Sequence, residues 1–162
     1  MGEKAIVYFS RNGSTRLAAE ILAGRLGAKL VELKERKALR NFLVSGFRAV
    51  TKKHSKLLGD PWKEIEDRDV LVLAAPIWAG NANPAMNGFL DKAVLTEKTV
   101  YLLTMQADPG HEKSDEVQEH YTDRVKAAGG SVAGSLALTG ASPGKTAKEE
   151  VLRTALDGWV IE

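Results

Sequence analysis

Two short runs of consecutive apolar residues constrain the fold more than any other feature of this sequence. The first covers residues 5–9 (AIVYF), and the second lies in the strand predicted at residues 69–75 (DVLVLAA), which is apolar at every position after Asp69. A strand with one face in water alternates apolar and polar side chains, whereas a strand covered on both faces stays apolar throughout. The two runs therefore predict buried strands in the middle of a parallel sheet, with Pro76 ending the second.

Helical patterns alternate with these runs and with three further strand patterns. The further strands are predicted at residues 28–33, 99–104 and 132–139. Helices are predicted at residues 14–26 and at residues 146–159. Between them, one helix is predicted to begin at residue 84 and another to end at about residue 128. Strands that alternate with helices pair in parallel through right-handed crossovers. The sequence thus predicts an α/β fold: one domain over residues 1–162, a three-layer sandwich with a five-stranded parallel sheet.

Capping signals define several helix ends. Gly27 is placed as the C-terminal stop of the first helix, and Asn83 with Pro84 predicts an N-cap followed by a proline in the first turn. Thr146 and Glu149 have the spacing of a capping box for the last helix.

Apolar residues at helical spacing predict the buried faces of two helices. The helix after Pro84 is expected to bury Met86, Phe89, Leu90, Ala93 and Val94. The next helix, preceded by Asp108 and Pro109, is expected to bury Val117, Tyr121 and Val125.

The composition excludes several classes of protein. With 162 residues, 44% of them apolar and 27% charged, the chain is suited to one folded domain with a buried core. It contains no cysteine, which excludes disulfides, thiol chemistry and Cys-ligated metal centres, so any redox role requires a bound cofactor. No apolar run approaches the roughly 20 residues of a membrane span, and the N-terminus lacks a signal-peptide layout. We therefore expect a cytoplasmic location.

Positive charge is concentrated in one segment. Between Lys34 and Lys56 there are eight basic residues and one acid, a net charge of +7 in a chain whose total is +2. Leu39, Phe42, Leu43, Phe47 and Val50 form an apolar stripe of helical period, so a helix broken at Gly46 is predicted here. The segment is suited to an anionic partner or to a solvated helix face.

Polar side chains crowd the loop after the first predicted strand, residues 10–15 (SRNGST). A helix N-terminus offers unpaired N–H groups and a partial positive charge, so this loop is suited to bind a phosphate. Alternatively, Ser10, Asn12 and Ser14 only cap the helix. One cap needs one oxygen, whereas the loop has four candidates, which favours the anion site. Its one glycine does not satisfy the three-glycine dinucleotide fingerprint.

The loop after the third predicted strand, residues 76–84 (PIWAGNANP), places an indole beside a small, flexible backbone. Trp78 there is suited to stack on a planar ring. The alternative is a tryptophan that covers the end of the core.

These two loops together resemble those of the flavodoxin family, and the similarity in element order covers essentially the whole chain. SRNGST stands in place of the family's more usual T-x-T-G-N-T pattern, and PIWAGN follows the third strand. The resemblance implies the flavodoxin-like fold with strand order 2-1-3-4-5 and FMN as cofactor. It also implies that the first loop holds the FMN phosphate through Ser10, Arg11, Asn12, Gly13, Ser14 and Thr15, with Arg16 as an alternative source of positive charge. The wall beside the isoalloxazine would comprise Pro76, Ile77, Trp78, Ala79, Gly80 and Asn81.

The loop after the fourth strand completes the implied site. By the same resemblance, Thr104, Met105, Gln106 and Ala107 would reach the pyrimidine edge of the flavin. Residues 104–109 (TMQADP) contain no Tyr or Trp for the second face of the ring, which would be open or covered by Met105 or His111. In the family, a peptide of the second loop accepts a hydrogen bond from N5 of the half-reduced flavin, and Ala79–Gly80 is the peptide expected to do so here.

Other motifs fit their usual chemistry poorly. Residues 140–146 (GASPGKT) approach both a nucleophile elbow at Ser142 and a P-loop. Pro143 removes an N–H that either motif needs, and the P-loop spacing is one residue short, so a turn is predicted. A phosphoacceptor receiver would need acids after the first and third strands, where Ser10 and Pro76 stand. His111 and His120 do not share a helix face, and we expect them to be solvated or at an edge rather than metal ligands.

Three functions remain open from the sequence. The first is an FMN-binding electron-transfer protein whose partner is a protein. The second is an NAD(P)H-dependent quinone or flavin reductase on the same fold, favoured by the missing second aromatic residue and the non-acidic charge. The third is a cofactor-free module whose basic segment binds an anionic partner, although we do not expect nucleic acid to be that partner.

Overall fold

Five parallel strands form one sheet whose order along the sheet is β2-β1-β3-β4-β5. The computed structural model describes residues 2–11, 13–36, 54–107, 112–140 and 146–162. The described elements are, in chain order, β1 (Lys4–Tyr8), α1 (Ser14–Leu26), β2 (Lys29–Glu32), β3 (Val70–Pro76), α2 (Pro84–Lys92), β4 (Thr99–Gln106), α3 (Glu112–Ala127), β5 (Ser131–Thr139) and α4 (Glu149–Leu156). A short 3-10 turn, Pro61–Lys63, precedes β3. The predicted α/β fold and the order 2-1-3-4-5 are confirmed.

The two continuous apolar runs form the central strands β1 and β3, which pair with each other. Both faces of these strands are covered, and successive residues enter opposite cores. Ala5 and Val7 pack with α2 and α3, whereas Ile6 and Tyr8 pack with α1 and α4. A strand with water on one face would not tolerate apolar residues at every position, so the sequence pattern follows from this double burial.

Two predicted helix boundaries are confirmed in detail. Helix α1 ends at Leu26, and Gly27 follows it in the left-handed conformation, with φ of 63°. Asn83 caps α2, where its side-chain oxygen accepts hydrogen bonds from the backbone N–H groups of Ala85 and Met86 at 3.0 and 3.1 Å. Pro84 then occupies the first turn, where its missing N–H has no consequence.

Two expectations about element ends are wrong. Strand β4 continues to Gln106 because Met105 pairs with Pro76 of β3 and Gln106 pairs with Thr139 of β5. Val94 is 69% exposed, since α2 ends at Lys92 and the extended backbone at Ala93 breaks the helical register.

The predicted capping box is also wrong. Helix α4 begins at Glu149 after Lys148, which supplies no side-chain cap, so Thr146 lies outside the helix.

Several predictions lie outside the described residues: the broken helix with Leu39, Phe42, Leu43, Phe47 and Val50, the cap at Asp108 and Pro109, and the turn around Ser142. The two described ends of the basic segment are held together. Arg36 N donates to Lys56 O, and Leu58 N donates to Lys34 O, both at 2.8 Å. Among the helices that the structure describes, none combines the length and the apolar character needed to cross a membrane.

Candidate functional site

The first loop brings a glycine to the N-terminus of α1. Gly13 is the N-cap residue, has φ of 96°, and accepts the first helical hydrogen bond from Leu17 N at 2.9 Å. A glycine adopts this left-handed conformation without steric cost and supplies no side-chain oxygen to the helix end. Asn12 lies outside the described residues.

The hydroxyl groups of this loop accept hydrogen bonds from amides that lie outside the first turn of α1. Ser10 Oγ accepts from Gly13 N at 3.1 Å, and Ser14 Oγ accepts from Ala147 N at 2.9 Å. Ser14 and Thr15 are both 2% exposed. The alternative in which Ser10 and Ser14 only cap α1 is therefore not what the structure shows.

The segment before α4 also reaches this loop, which sequence analysis did not anticipate. A Cβ atom on Gly13 would stand 3.2 Å from Thr146 Oγ1, and one on Gly140 would stand 3.7 Å from Ser14 Cβ. Sequence analysis had singled out residues 140–146, which contain two glycines and Thr146, but it predicted only a turn for this segment. The segment lies beside the first loop because α1 and α4 share one face of the sheet.

The two arginines near the loop differ in their surroundings. The Arg16 guanidinium donates to the Glu32 carboxylate on β2, and this hydrogen bond and charge raise the pKa of Arg16. Arg16 is thus engaged away from the loop. The Arg11 guanidinium lies 5.8 Å from the centre of the Trp78 ring, which links the first loop to the second.

Residues 78–81 form a tight two-residue turn. Asn81 N donates to Trp78 O at 2.9 Å, and Trp78 N donates to Asn81 O at 3.4 Å. Ala79 and Gly80 both have positive φ, of 50° and 72°, the pattern of a type I′ turn. Asn81 Nδ2 donates to Ala79 O at 2.8 Å, so the side chain of Asn81 fixes the central peptide of the turn.

Trp78 occupies the space between the two loops. Its ring meets that of Phe9 edge to face, with centres 5.5 Å apart, and it packs partly buried against the core beside α2 and α3. Pro76 is the last residue of β3, and Ile77 N donates to Met105 O at 2.8 Å, which ties the turn to β4. Trp78 therefore covers the core and still borders the first loop.

The third predicted loop begins later than expected. Thr104, Met105 and Gln106 belong to β4 and are buried, so their assignment to a loop is wrong. Gln118 Nε2 donates to Thr104 Oγ1 at 2.9 Å, and Met105 packs into the core beside α1 and α4. Ala107 is the first exposed residue after the strand, and His111 lies outside the described residues.

A buried tyrosine supports the second loop from α3. Asn83 N donates to Tyr121 Oη at 2.8 Å, and Tyr121 is 3% exposed. Burial raises the pKa of Tyr121, while the hydrogen bond from Asn83 lowers it by a smaller amount. The phenol is therefore neutral and acts as a fixed acceptor between the turn and α2.

His120 on α3 was expected to be solvated or at an edge, and the structure places it between α3 and α2. It is half buried, and its Nε2 lies 2.9 Å from Asn87 Oδ1 on α2. With His54, Gly80, Asn81 and Ala82 it lines a cavity of about 140 Å³ beside the 78–81 turn.

No family model matches this sequence, and no curated protein matches it. Solved structures do match it over most of its length. A candidate flavoprotein from Bacteroides eggerthii is 19% identical, with a TM-score of 0.72 and 100% of both chains covered. A flavoprotein from Lactobacillus acidophilus in complex with FMN is 17% identical, with a TM-score of 0.66 over 85% of this chain and 93% of that chain. Oxidised flavodoxin 1 from Bacillus cereus is 16% identical, with a TM-score of 0.58 over 95% of this chain and 92% of that chain.

These similarities agree with the strand order and with the parallel sheet that is covered on both faces. The chain therefore has the flavodoxin-like fold.

Proposed function

We propose that this protein binds FMN and acts in electron transfer, with the phosphate at the N-terminus of α1 and the isoalloxazine beside Trp78. The observation that carries the proposal is the joint placement of a glycine-capped helix N-terminus and an indole, linked by Arg11. The complex of FMN with the Lactobacillus acidophilus flavoprotein, which shares the fold, supports the choice of cofactor.

The first loop fits a phosphate in charge and in space. The N-terminus of α1 presents N–H groups and the positive end of the helix dipole. Gly13 has no side chain, so its backbone can approach a ligand closely. A Cβ atom at this position would also crowd Thr146 Oγ1. Hydroxyl groups of Ser10 and Thr15 lie in the same loop.

The phosphate would be held by residues of the first loop and by one residue that precedes α4. A phosphate monoester carries up to two negative charges, which the helix dipole and the Arg11 guanidinium would offset. We assign this role to Ser10, Arg11, Asn12, Gly13, Ser14 and Thr15, and we add Thr146 to them.

The 78–81 turn would line the ring. Trp78 offers a partly buried aromatic surface, and the turn presents the carbonyl and N–H groups of Ala79 and Gly80. Bound FMN supplies one- and two-electron transfer, while the protein sets its potential through these contacts. Asn81 holds the Ala79 carbonyl in its present direction, so this side chain controls which polar group of the turn is offered to a ligand.

A second candidate function is an NAD(P)H-dependent quinone or flavin reductase. It is favoured by residues 104–109, which contain no Tyr or Trp to cover the second face of a ring. Met105 does not take that role, because it is 4% exposed within the core beside α1 and α4. Oxidation of NAD(P)H by the FMN-loaded protein alone separates the two functions, since a carrier needs a separate reductase.

Titration of the flavin-free protein with FMN tests the proposal. We expect one FMN to bind per chain, with quenching of tryptophan fluorescence and a change in the flavin absorbance bands. Riboflavin, which lacks the phosphate, is the matched control ligand and should bind more weakly. Equal affinity for riboflavin would remove the phosphate assignment, and no spectral change with FMN would remove the proposed function.

A further inference from the structure

Residues 34–36 and 56–58 lie side by side as a short antiparallel ladder, in which Glu35 pairs with Leu57. Side chains alternate between the two faces of such a ladder, so the residues on either side of this central pair share one face. That face is exposed to solvent, whereas Leu57 is 5% exposed and belongs to the core beside α2 and α3. The exposed side, termed the basic face below, consists of Lys34, Arg36, Lys56 and Leu58.

The three cations of the basic face have no internal counter-charge. In the part of the chain that the structure describes, the side chains of Lys34, Arg36 and Lys56 take part in no ion pair and no hydrogen bond. Glu35 is the one acid of the ladder, and its carboxylate accepts a hydrogen bond from Ser55 Oγ on the inner side, where Ser55 is 4% exposed. The positive charge of the basic face is therefore presented to solvent without compensation.

Two of these cations stand directly opposite each other. Arg36 N donates to Lys56 O at 2.8 Å, which sets the two residues side by side on neighbouring strands. Like charges in this position repel each other and destabilise the pairing. A carboxylate bound between the two side chains would replace this repulsion by attraction.

The apolar member of the basic face favours a protein as the anionic partner. Leu58 is 51% exposed beside the three cations. Protein interfaces combine apolar contacts with a polar and charged rim, whereas the phosphates of a nucleic acid are contacted by polar and charged groups. A surface that inserts into a membrane needs a broad apolar face, and a single leucine does not supply one.

The charge of the whole chain also favours a partner with a confined acidic patch. Residues 34–56 carry +7 and the total is +2, so the rest of the chain carries −5. An extended polyanion, such as a membrane surface or a nucleic acid, would be repelled by that remainder. An acidic patch on a protein can meet the basic face alone.

The ladder lies at the edge of the sheet that carries the proposed FMN site. Leu33 N donates to Tyr8 O at 2.7 Å, so the ladder begins where β1 and β2 end, next to the first loop. Ser55 N donates to Pro84 O at 3.0 Å, directly after the second loop. A partner docked on the basic face would therefore stand at the same edge as bound FMN.

We propose that the basic face docks the acidic surface of a partner protein, with carboxylates of the partner paired with Lys34, Arg36 and Lys56 and an apolar side chain packed on Leu58. The inference rests on the proposed function only for the identity of the partner, a protein that gives electrons to bound FMN or takes them from it. The docking itself does not require FMN, because the basic face contains none of the residues assigned to the FMN site.

Two redox proteins of opposite charge serve as probes: an acidic plant-type ferredoxin and the basic cytochrome c. We expect ferredoxin, added to the isotope-labelled flavin-free protein, to shift or broaden the NMR signals of Lys34, Arg36, Lys56 and Leu58, and cytochrome c to leave them unchanged. Ferredoxin affinity should fall about tenfold when the ionic strength rises from about 0.01 M to about 0.15 M, since the Debye length falls from about 30 Å to about 8 Å.

Substitutions separate this face from the overall charge of the protein. Arg36→Glu should weaken ferredoxin binding about tenfold, and the protein should stay folded because the new carboxylate faces Lys56. Arg153→Glu is the matched control: it makes the same change in net charge on exposed α4, which packs on the other face of the sheet, and should leave affinity unchanged. Leu58→Ser keeps every charge and should weaken binding about threefold or more.

The inference is overturned if ferredoxin does not bind or shifts signals elsewhere, or if Arg36→Glu and Arg153→Glu lose affinity equally. Tight binding of vesicles of anionic phospholipid or of a DNA duplex at the basic face, with ferredoxin bound more weakly, would overturn it as well. FMN titration is carried out separately on the same protein. If FMN does not bind while ferredoxin still docks, the proposed function fails and the docking surface stands; FMN binding without ferredoxin docking gives the reverse result.

Discussion

Thr146 Oγ1 lies so close to Gly13 that a Cβ atom added to the glycine would stand 3.2 Å from it. The two residues are far apart in the chain, yet they meet because α1 and α4 cover the same face of the sheet. This contact joins the loop after β1 to the segment before α4, and it makes Gly13 the position at which a side chain would most disturb the proposed phosphate site.

Gly13→Ala should weaken FMN binding by about tenfold or more, since it crowds Thr146 and strains a left-handed residue at a cost of about 1–2 kcal/mol. FMN titration and thermal unfolding measure the two effects. Gly27→Ala is the matched control, because Gly27 also has positive φ, of 63°, but has no neighbour within 4 Å. Gly27→Ala should lower stability similarly and leave FMN affinity intact; a similar loss of affinity in both variants would contradict the assignment.

Trp78→Leu should weaken FMN binding and remove most of the fluorescence quenching that FMN causes. The indole is the partly buried aromatic group between the two loops, and stacking contributes about 1 kcal/mol beyond the area buried. Trp62→Leu is the control, since Trp62 packs with Lys92 away from the loops. Quenching that persists in Trp78→Leu and disappears in Trp62→Leu would place the flavin elsewhere.

Ala79→Gly should raise the one-electron reduction potential of bound FMN. If the central peptide of the turn reversed its direction, residue 79 would need a backbone conformation that only glycine adopts readily. Alanine at this position therefore opposes the reversal. With glycine, the Ala79–Gly80 carbonyl can turn toward the flavin N5–H, as the family resemblance implies. Potentiometric titration of both proteins measures the shift, and an unchanged potential would show that this peptide does not contact the flavin.

Tyr121→Phe should destabilise the protein by about 1–3 kcal/mol near neutral pH, because Asn83 N–H would lose its acceptor in a buried position. Chemical denaturation measures this difference.

The same variant should change the response to alkali. Burial raises the folded-state pKa of Tyr121 above the ordinary value of 10.0, so its contribution to stability is complete below pH 10. Above that pH the unfolded phenol loses its proton first, and stability falls by up to about 1.4 kcal/mol per pH unit until the folded pKa is reached. Tyr121→Phe should lack this component. If the stability of the two proteins falls equally steeply with pH above pH 10, Tyr121 is not the group responsible.

The sequence by itself determined the order of elements and the choice of central strands, because apolar residues at every position of residues 5–9 and 70–75 require cover on both faces. It also determined local features that depend on neighbours in the chain, such as the Asn83 cap and the Gly27 stop.

Only the tertiary structure decided where β4 ends, since pairing of Gln106 with Thr139 extends a strand whose own sequence turns polar. It also decided that Arg16 faces Glu32, that Thr146 lies beside Gly13, and that His54, Asn87 and His120 line one cavity. Each of these relationships joins residues far apart in the chain. They arise from the crossover packing of helices on the sheet, which local patterns of hydrophobicity and capping do not encode.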